Sequence, residues 1–266
     1  MERTPVNLLW TGGWDSTFQL MRLLLVHGVS VEPIYLMDHT RGSLHVELRT
    51  MERIREALAT AYPQTRQLLL STRIADVDAL APDPEIEHAY RRILRTHPIG
   101  SQYPWIARFL AQHDLRDVEM GSEFTHHGAS EMLIGRTEAI TTKQGYASFR
   151  LSPDARDSDI GALFGRLAFP LAQTDKAAMK KEADVRGWIP ILGMTWFCHK
   201  PLRGQPCGMC NPCQGVMSDG FGWRIPPSRR ALGAVHRATI GPLKKTTKRI
   251  LQKFRGAYLT PPAITH

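Results

Sequence analysis

Apolar and polar positions alternate along the first half of the chain with two different periods. Val6 to Trp10 is a short uninterrupted apolar run, the pattern of a strand buried on both faces. From Thr17 to His27 the period lengthens. Phe18, Met21, Leu24 and Leu25 share one helical face, and Gly28 stands where a left-handed cap would close the helix. Val31 to Met37 predicts a second strand. Leu44 to Tyr62 predicts a longer helix, with Leu48, Met51, Ile54, Leu58 and Ala61 in one stripe and Pro63 ending it. Gln67 to Leu70 predicts a third strand. Strands separated by helices of this length imply right-handed crossovers and a parallel sheet flanked by helices, an α/β fold.

Beyond that point the pattern weakens. Ala81 to Glu85 is a Pro-rich connector, followed by helical periodicity near Ile86 to Leu94 and Trp105 to Gln112. Val118 to Gly121 predicts a fourth strand. Phe124 to Asp159 mixes turn signals with weak periodicity and assigns no element. Leu167 to Leu171 predicts a fifth strand, or an extended approach to a helix over Thr174 to Arg186 that Gly187 would end. No internal repeat is evident.

Length and composition set bounds on this picture. The 266 residues, 42% hydrophobic and 22% charged, supply one ordinary domain and a smaller attachment. Disorder throughout, collagen-like repetition and a disulfide-dense scaffold are excluded. No apolar run approaches the roughly 18 residues of a membrane span, and the N-terminus carries no secretory pattern, so a soluble, cytoplasmic protein is expected. The expected organisation is an α/β domain over 1–190, a four-cysteine segment over 191–220 and a basic tail over 221–266.

The net charge of +9 is concentrated in that tail. From Gly220 to His266 there are ten Lys and Arg and no Asp or Glu, leaving 24 basic against 25 acidic residues before it. Lys244, Lys245, Lys248, Arg249, Lys253 and Arg255, with Ile250, Leu251 and Phe254 between them, have the spacing of a short basic amphipathic helix. Such a tail is either a solvated extension or an arm for nucleic acid or another polyanion, since charge by itself carries no information about the partner.

The segment with the most chemical content is Thr11-Gly12-Gly13-Trp14-Asp15-Ser16-Thr17. A strand ends, two glycines permit a tight bend with exposed amides, and a helix begins under hydroxyl side chains. Unsatisfied N–H groups and the positive end of the helix dipole make such a place an anion site. Ser16 and Thr17 can donate to phosphate oxygens, and Asp15 can hold a helix start or a magnesium ion. The plainer reading is an ordinary capped Gly-Gly turn. Neither G-x-x-x-x-G-K-[ST] nor G-x-G-x-x-G occurs here.

All four cysteines lie in Cys198-x8-Cys207-x2-Cys210-x2-Cys213. Four soft ligands separated by Gly208 and Pro212 turns suit tetrahedral zinc in a closed, structural site. An iron–sulfur cluster accepts the same ligands, and disulfides fit a cytoplasmic chain poorly. His199, beside Cys198, reads as a bystander.

TGGWDST resembles the SGG-x-DS signature of the PP-loop ATP pyrophosphatase superfamily, with Thr11 keeping the hydroxyl of the first Ser. Together with C-x8-C-x2-C-x2-C, and with Phe169-Pro170-Leu171-Ala172-Gln173-Thr174-Asp175-Lys176-Ala177 in place of a "PL…(N/D)KAE" segment, the chain resembles the 7-cyano-7-deazaguanine synthase family. The resemblance spans positions 6 to about 215. It implies a PP-loop, adenine-nucleotide-α-hydrolase-like sheet with a small zinc-binding subdomain. It also implies ATP and Mg2+ held by Thr11, Gly12, Gly13, Asp15, Ser16 and Thr17, catalysis by Asp15 and Lys176, and Zn2+ on Cys198, Cys207, Cys210 and Cys213. Its substrates would be a 7-carboxy-7-deazaguanine and ammonia.

Lys176 has an argument of its own. A cation in a helix's first turn opposes the dipole, but near ATP phosphates it would stabilise departing pyrophosphate. The chain departs from the family at Gly100 to Arg108 and at Gly121 to Gly128, and Asp38-His39-Thr40-Arg41 resembles a His/Gln/Arg cluster only loosely. A paralogue acting on a protein or nucleic-acid acceptor, a tRNA sulfur transferase and a zinc-dependent nucleic-acid-binding module therefore stand beside the ligase. His126 and His127 are acid–base candidates in an exposed polar loop. A homo-oligomer is compatible with the sequence.

Overall fold

The computed structural model describes residues 4–126 and 128–239, which fall into two compact units divided between Trp196 and Phe197. His127 and the expected basic helix near 244–255 lie outside the described residues. No described helix is long and apolar enough to cross a membrane.

The first unit is an α/β layer structure. Its seven strands are β1 (Val6–Leu9), β2 (Val31–Met37), β3 (Arg73–Asp76), β4 (Val118–Met120), β5 (Thr137–Thr141), β6 (Ala147–Leu151) and β7 (Leu167–Ala168), in the order β3-β2-β1-β4-β7-β6-β5. β3 to β7 in that order are mutually parallel, whereas β6 runs antiparallel to β7 and β5 antiparallel to β6. The sheet is therefore mostly rather than wholly parallel. The antiparallel pair is a hairpin from the stretch that showed no periodicity. β5 lies at the sheet edge and is only partly buried, so its sequence never had to alternate.

The flanking helices are α1 (Trp14–Met21, continued by a π-helical turn, Arg22–Val26), α2 (Leu44–Ala61), α3 (Thr65–Leu68), α4 (Pro84–Ile93), α5 (Gln102–Gln112), α6 (Gly128–Leu133), α7 (Pro153–Arg156), α8 (Asp159–Phe164), α9 (Lys176–Val185) and α10 (Ile189–Leu192). Asp83 caps α4, its Oδ1 accepting from the amides of Glu85 and Ile86 at 3.0 and 3.2 Å. Asp175 caps α9 by accepting from the Ala178 amide at 2.7 Å, and Gly187, at φ +69°, follows its end.

The third strand is displaced from its expected place. Thr65–Leu68 forms one helical turn, begun when the Thr65 hydroxyl donates to the Tyr62 carbonyl at 2.8 Å, and Leu69 makes only a single bridge to Val31. The ladder with β2 starts at Arg73 instead. That strand is at the opposite edge of the sheet, with Ile74 50% exposed, so its apolar signal is slight.

One buried polar group sits between α1 and the sheet. Glu119 on β4 is 1% exposed and accepts from Gln19 Nε2 at 2.8 Å and Tyr146 Oη at 2.5 Å. Burial raises its pKa to about 6, against the lowering effect of those two bonds. A raised carboxyl pKa means that the folded state holds the proton more tightly than the unfolded one. Stability should therefore fall as pH rises through the window from about 4.5 to about 6. Glu119→Gln should flatten that dependence and remove a penalty on the order of 2 kcal/mol at pH 7. Gln19 can flip to meet the new amide, because its Oε1 has no hydrogen-bond partner in the wild type. Urea melts at pH 5 and pH 7.5 would check this, and an unchanged pH slope would refute it.

Candidate functional site

The strand order reverses between β1 and β4. The chain leaves β1 for β2 on one side and returns later to β4 on the other. In open parallel sheets a crevice opens at such a switch point, beyond the carboxyl ends of the strands. Three segments meet there: the Thr11-Gly12-Gly13 bend after β1, Gly121-Ser122-Glu123 after β4, and the start of α9 after β7.

The bend is built by close packing. Gly12 has φ +69°, and a Cβ on it would stand 3.1 Å from Met51 Cγ and 3.4 Å from Thr50 Cγ2, both on α2. The start of α2 is itself tied down, since Glu47 accepts from Tyr35 Oη at 2.8 Å and from Ser43 Oγ at 2.6 Å. Burial, followed by the Glu47 carboxylate, pushes the Tyr35 phenol up and keeps it a hydrogen-bond donor. On its other side the bend is held by the Trp196 amide, which donates to the Gly12 carbonyl at 2.8 Å. Gly13 is the N-cap of α1 and makes no side-chain capping bond, so the first-turn amides are not capped by it. The Ser16 hydroxyl donates back to the Gly13 carbonyl at 3.4 Å. Thr17 is not brought to this opening: it is wholly buried, and its Oγ1 accepts from Trp10 Nε1 at 3.0 Å.

Gly121 decides how near β4 comes to this helix start. A Cβ there would lie 2.9 Å from the Ser16 Cα and 3.0 Å from the Asp15 carbonyl oxygen. Gly121→Ala should push the two loops apart by some tenths of an ångström and lower stability by about 1–3 kcal/mol, the usual cost of overpacking, with the sheet retained. Urea melts, alongside circular dichroism, would check it; unchanged stability would show that the close approach is not needed.

Lys176, the first residue of α9, reaches across to this helix start. Its ammonium donates to Asp15 Oδ1 and lies 3.2 Å from Glu123 Oε2. Burial disfavours the ammonium, but the carboxylates of Asp15 and Glu123 outweigh it, and the net shift of the Lys176 pKa is upward. The loops that carry these groups are joined through Phe124, whose amide donates to the Thr174 carbonyl at 3.0 Å. Glu123 and Gly121 were not among the sequence candidates. Their only signal was an acidic residue and a glycine just past a short strand, which no fixed spacing marks.

The other sequence candidates lie elsewhere. Asp38 and Arg41 pair at 3.7 Å near the end of β2, and His39 Nε2 meets Asp76 Oδ2 at 3.1 Å. His126 is exposed and stands edge-on to Phe124 with centroids 5.1 Å apart. From Glu123 a cavity of about 240 Å3 extends between Ser122, Phe124, Ser130, Phe169 and Gln173.

The second unit is built around its cysteines. Cys198 precedes a tight turn in which Leu202 and Gln205 exchange backbone hydrogen bonds of 2.9 and 3.1 Å across Arg203 and Gly204, both at positive φ. Cys207 and Cys210 follow, and Cys213 lies in the first turn of α11 (Asn211–Ser218). The four sulfurs lie within 4.8 Å of one another, with Cys207–Cys213 at 3.9 Å and Cys198–Cys210 at 3.8 Å. Four sulfurs at 2.3 Å from a central zinc would be about 3.8 Å apart, so the donor set fits a tetrahedral ion. The thiolate form is further favoured by backbone donors. The Cys207 amide points to Cys198 Sγ at 3.2 Å, and those of Met209 and Cys210 to Cys207 Sγ at 3.4 and 3.3 Å.

Among themselves the thiols compete for one negative charge. Hydrogen bonding within the cluster holds the Cys213 thiol up and Cys198 up to about 11, and draws the Cys210 pKa down. A divalent cation would relieve that competition by favouring all four thiolates. The cluster could thus hold a metal ion such as zinc. A search against known proteins found no matching family model and no matching curated sequence, so a functional reading of this α/β chain stands on its switch-point bend and its thiolate cluster alone.

Proposed function

We propose that the chain is a PP-loop, ATP-dependent carbon–nitrogen ligase, related in chemistry to 7-cyano-7-deazaguanine synthase. The observation that carries the reading is the convergence of the Gly12-Gly13 bend, Asp15 and Lys176 at the switch point, with Glu123 completing the charged group. An anion enters such a bend against the amides at the start of α1 and the positive helix end. Thr11, Gly12, Gly13 and Ser16 would hold the phosphates. Asp15 and Glu123 are the carboxylates that suit magnesium, an oxygen-seeking ion that when bound neutralises phosphate charge.

Lys176 then has a defined task. Once nucleotide phosphates compete with the carboxylates, its ammonium is placed to neutralise the charge that grows on the leaving pyrophosphate. A carboxylate oxygen of the acceptor attacks the α-phosphorus, the bond to the β-phosphate breaks, and pyrophosphate departs, leaving an acyl adenylate. Ammonia displaces AMP to give an amide. Attack of the amide oxygen on the α-phosphorus of a second ATP would expel pyrophosphate, and elimination of AMP with loss of the two amide protons would give the nitrile.

The cavity beside Glu123 is the place for the acceptor. At about 240 Å3 it falls below the roughly 300–1,000 Å3 of drug-sized sites and suits one fused heterocycle. Serine hydroxyls and two phenylalanine rings match a flat ring with polar edges. Sulfur transfer is disfavoured, because all four cysteines of the chain converge on one cluster and leave none to carry sulfur.

The test is incubation of the purified protein with ATP, magnesium, ammonia and 7-carboxy-7-deazaguanine, followed by mass spectrometry. AMP with a nitrile product is the expected result. AMP without nitrile, using other carboxylates, would move the reading to a different acceptor. No AMP with any carboxylate would remove it.

A further inference from the structure

We propose that the four-cysteine unit binds single-stranded nucleic acid, with Trp223 as a stacking platform and the arginines of helix 227–239 as phosphate contacts. This rests on residues 197–239 and the sequence charge that follows them, and does not depend on the ligase reading.

Charge is the first observation. Between positions 197 and 239 six cationic residues (Lys200, Arg203, Arg224, Arg229, Arg230 and Arg237) face one carboxylate, Asp219, a balance of +5. Zinc on four thiolates would add a net charge of about −2 and leave the unit positive. The sequence then continues to His266 with six more lysines and arginines and no acid.

Presentation is the second. Trp223 is 57% exposed, although tryptophan is ordinarily among the more buried residues. It sits on a 3-10 turn, Gly222–Arg224, whose flanks are anchored: Phe221 is 3% exposed and Ile225 fully buried. The Arg224 guanidinium lies 4.7 Å from the centroid of the Phe197 ring, and burial lowers its pKa to about 10. The turn thus points one side chain inward and the indole outward.

The helix over 227–239 is held against that turn and the cysteine-bearing turn by the same fold. Arg230 brings its Cδ to 4.0 Å from where a Cβ on Gly222 would stand, beside Trp223. At Arg229 the helix crosses the cysteine-bearing turn so closely that a Cβ on Gly208 would be 2.1 Å from the Arg229 carbonyl oxygen. Farther along, Arg237 donates to Gln214 Oε1 on α11. An exposed ring beside a helix that carries three arginines matches the alternation of base and phosphate along an unpaired strand. An acidic peptide would satisfy the cations but leave the indole unmatched. A duplex hides the base faces that stacking requires.

Full-length, zinc-loaded protein would be titrated into fluorescein-labelled oligouridine and oligothymidine of about 20 nucleotides, longer than one module covers. Duplex DNA, polyglutamate and phosphatidylserine vesicles would be the comparators. Binding to the single strands that weakens steeply with salt is expected. Trp223→Ala should weaken it about 5- to 150-fold at unchanged salt slope, and Trp223→Phe should retain most of the affinity. Arg229→Ser with Arg230→Ser should lower the slope by about 0.7 per lost contact. Unchanged zinc content would show that the variants keep their fold. The proposal is overturned by absence of single-strand binding, by equal affinity of wild type and Trp223→Ala, or by tighter binding to duplex, polyglutamate or vesicles.

Discussion

On the proposed ligase chemistry, Lys176→Met is expected to lower conversion of ATP to AMP by about 100- to 1,000-fold, the usual loss when a group that stabilises developing charge is removed. The chain places this ammonium at the first position of a helix, where the dipole disfavours it, and then surrounds it with Asp15 and Glu123. Together these two carboxylates outweigh the cost of burying the charge, so the lysine stays protonated over the whole working range of pH. Because the effect is on the leaving group, nucleotide affinity should change only a few-fold while turnover collapses. Lys176→Arg should keep the charge and recover part of the rate. The measurement is pyrophosphate release at saturating ATP, with binding followed separately by calorimetry. Turnover of the methionine variant within threefold of wild type would end the assignment. A variant that lost binding and turnover in equal proportion would assign Lys176 to ground-state binding instead.

The second large effect concerns the metal. Elemental analysis should find about one zinc per chain, without labile sulfide, since the sulfur spacings match a single tetrahedral ion. Cys207→Ser should lower zinc affinity by more than the 10- to 100-fold that loss of an outer hydrogen-bond partner typically costs. Cys207 is 2% exposed and accepts from two backbone amides, so the substitution removes a ligand and the geometry that orients the loop. With the ion gone, helix 227–239 loses the turn on which it packs at Gly208 and Gly233, where there is no room for a Cβ on either glycine. Limited proteolysis should then cut within 197–239, and zinc should restore protection in the wild type but not in the variant. Iron with acid-labile sulfide would replace the zinc assignment, and full protection after chelation would show that the unit folds without metal.

Much of the architecture was legible because local physics and tertiary packing agreed. The apolar runs at Val6 and Val31 became β1 and β2, and the stripe from Leu48 to Leu58 belongs to α2, where Met51, Ile54 and Leu58 are buried. Helix ends followed their capping residues, as at Asp175 and Gly187. The expected first helix began three residues late, because α1 starts directly at Trp14 after Gly13. Illegible stretches had a common cause. β3, β5 and the turn Thr65–Leu68 lie at or near sheet edges, where half-exposed side chains need no apolar period and hydrogen bonding decides the conformation.

For the site the division runs along similar lines. The Gly-Gly bend and the cysteine spacing are local in sequence, so backbone freedom and ligand pitch could be read without knowing the fold. Which charged groups surround the bend could not. Lys176 lies 161 residues from Asp15, and Glu123 follows a strand of three residues. Only the strand order, with β4 inserted between β1 and β7, brings their loops together, and only the missing Cβ of Gly121 lets them approach. The sequence by itself determined the α/β alternation, the flexible bend and the soft-ligand set, because each depends on neighbours a few residues away. Tertiary structure alone decided the antiparallel edge, the burial of Thr17 and the Asp15–Lys176–Glu123 group. Those follow from the order in which strands pair, which no short-range pattern encodes.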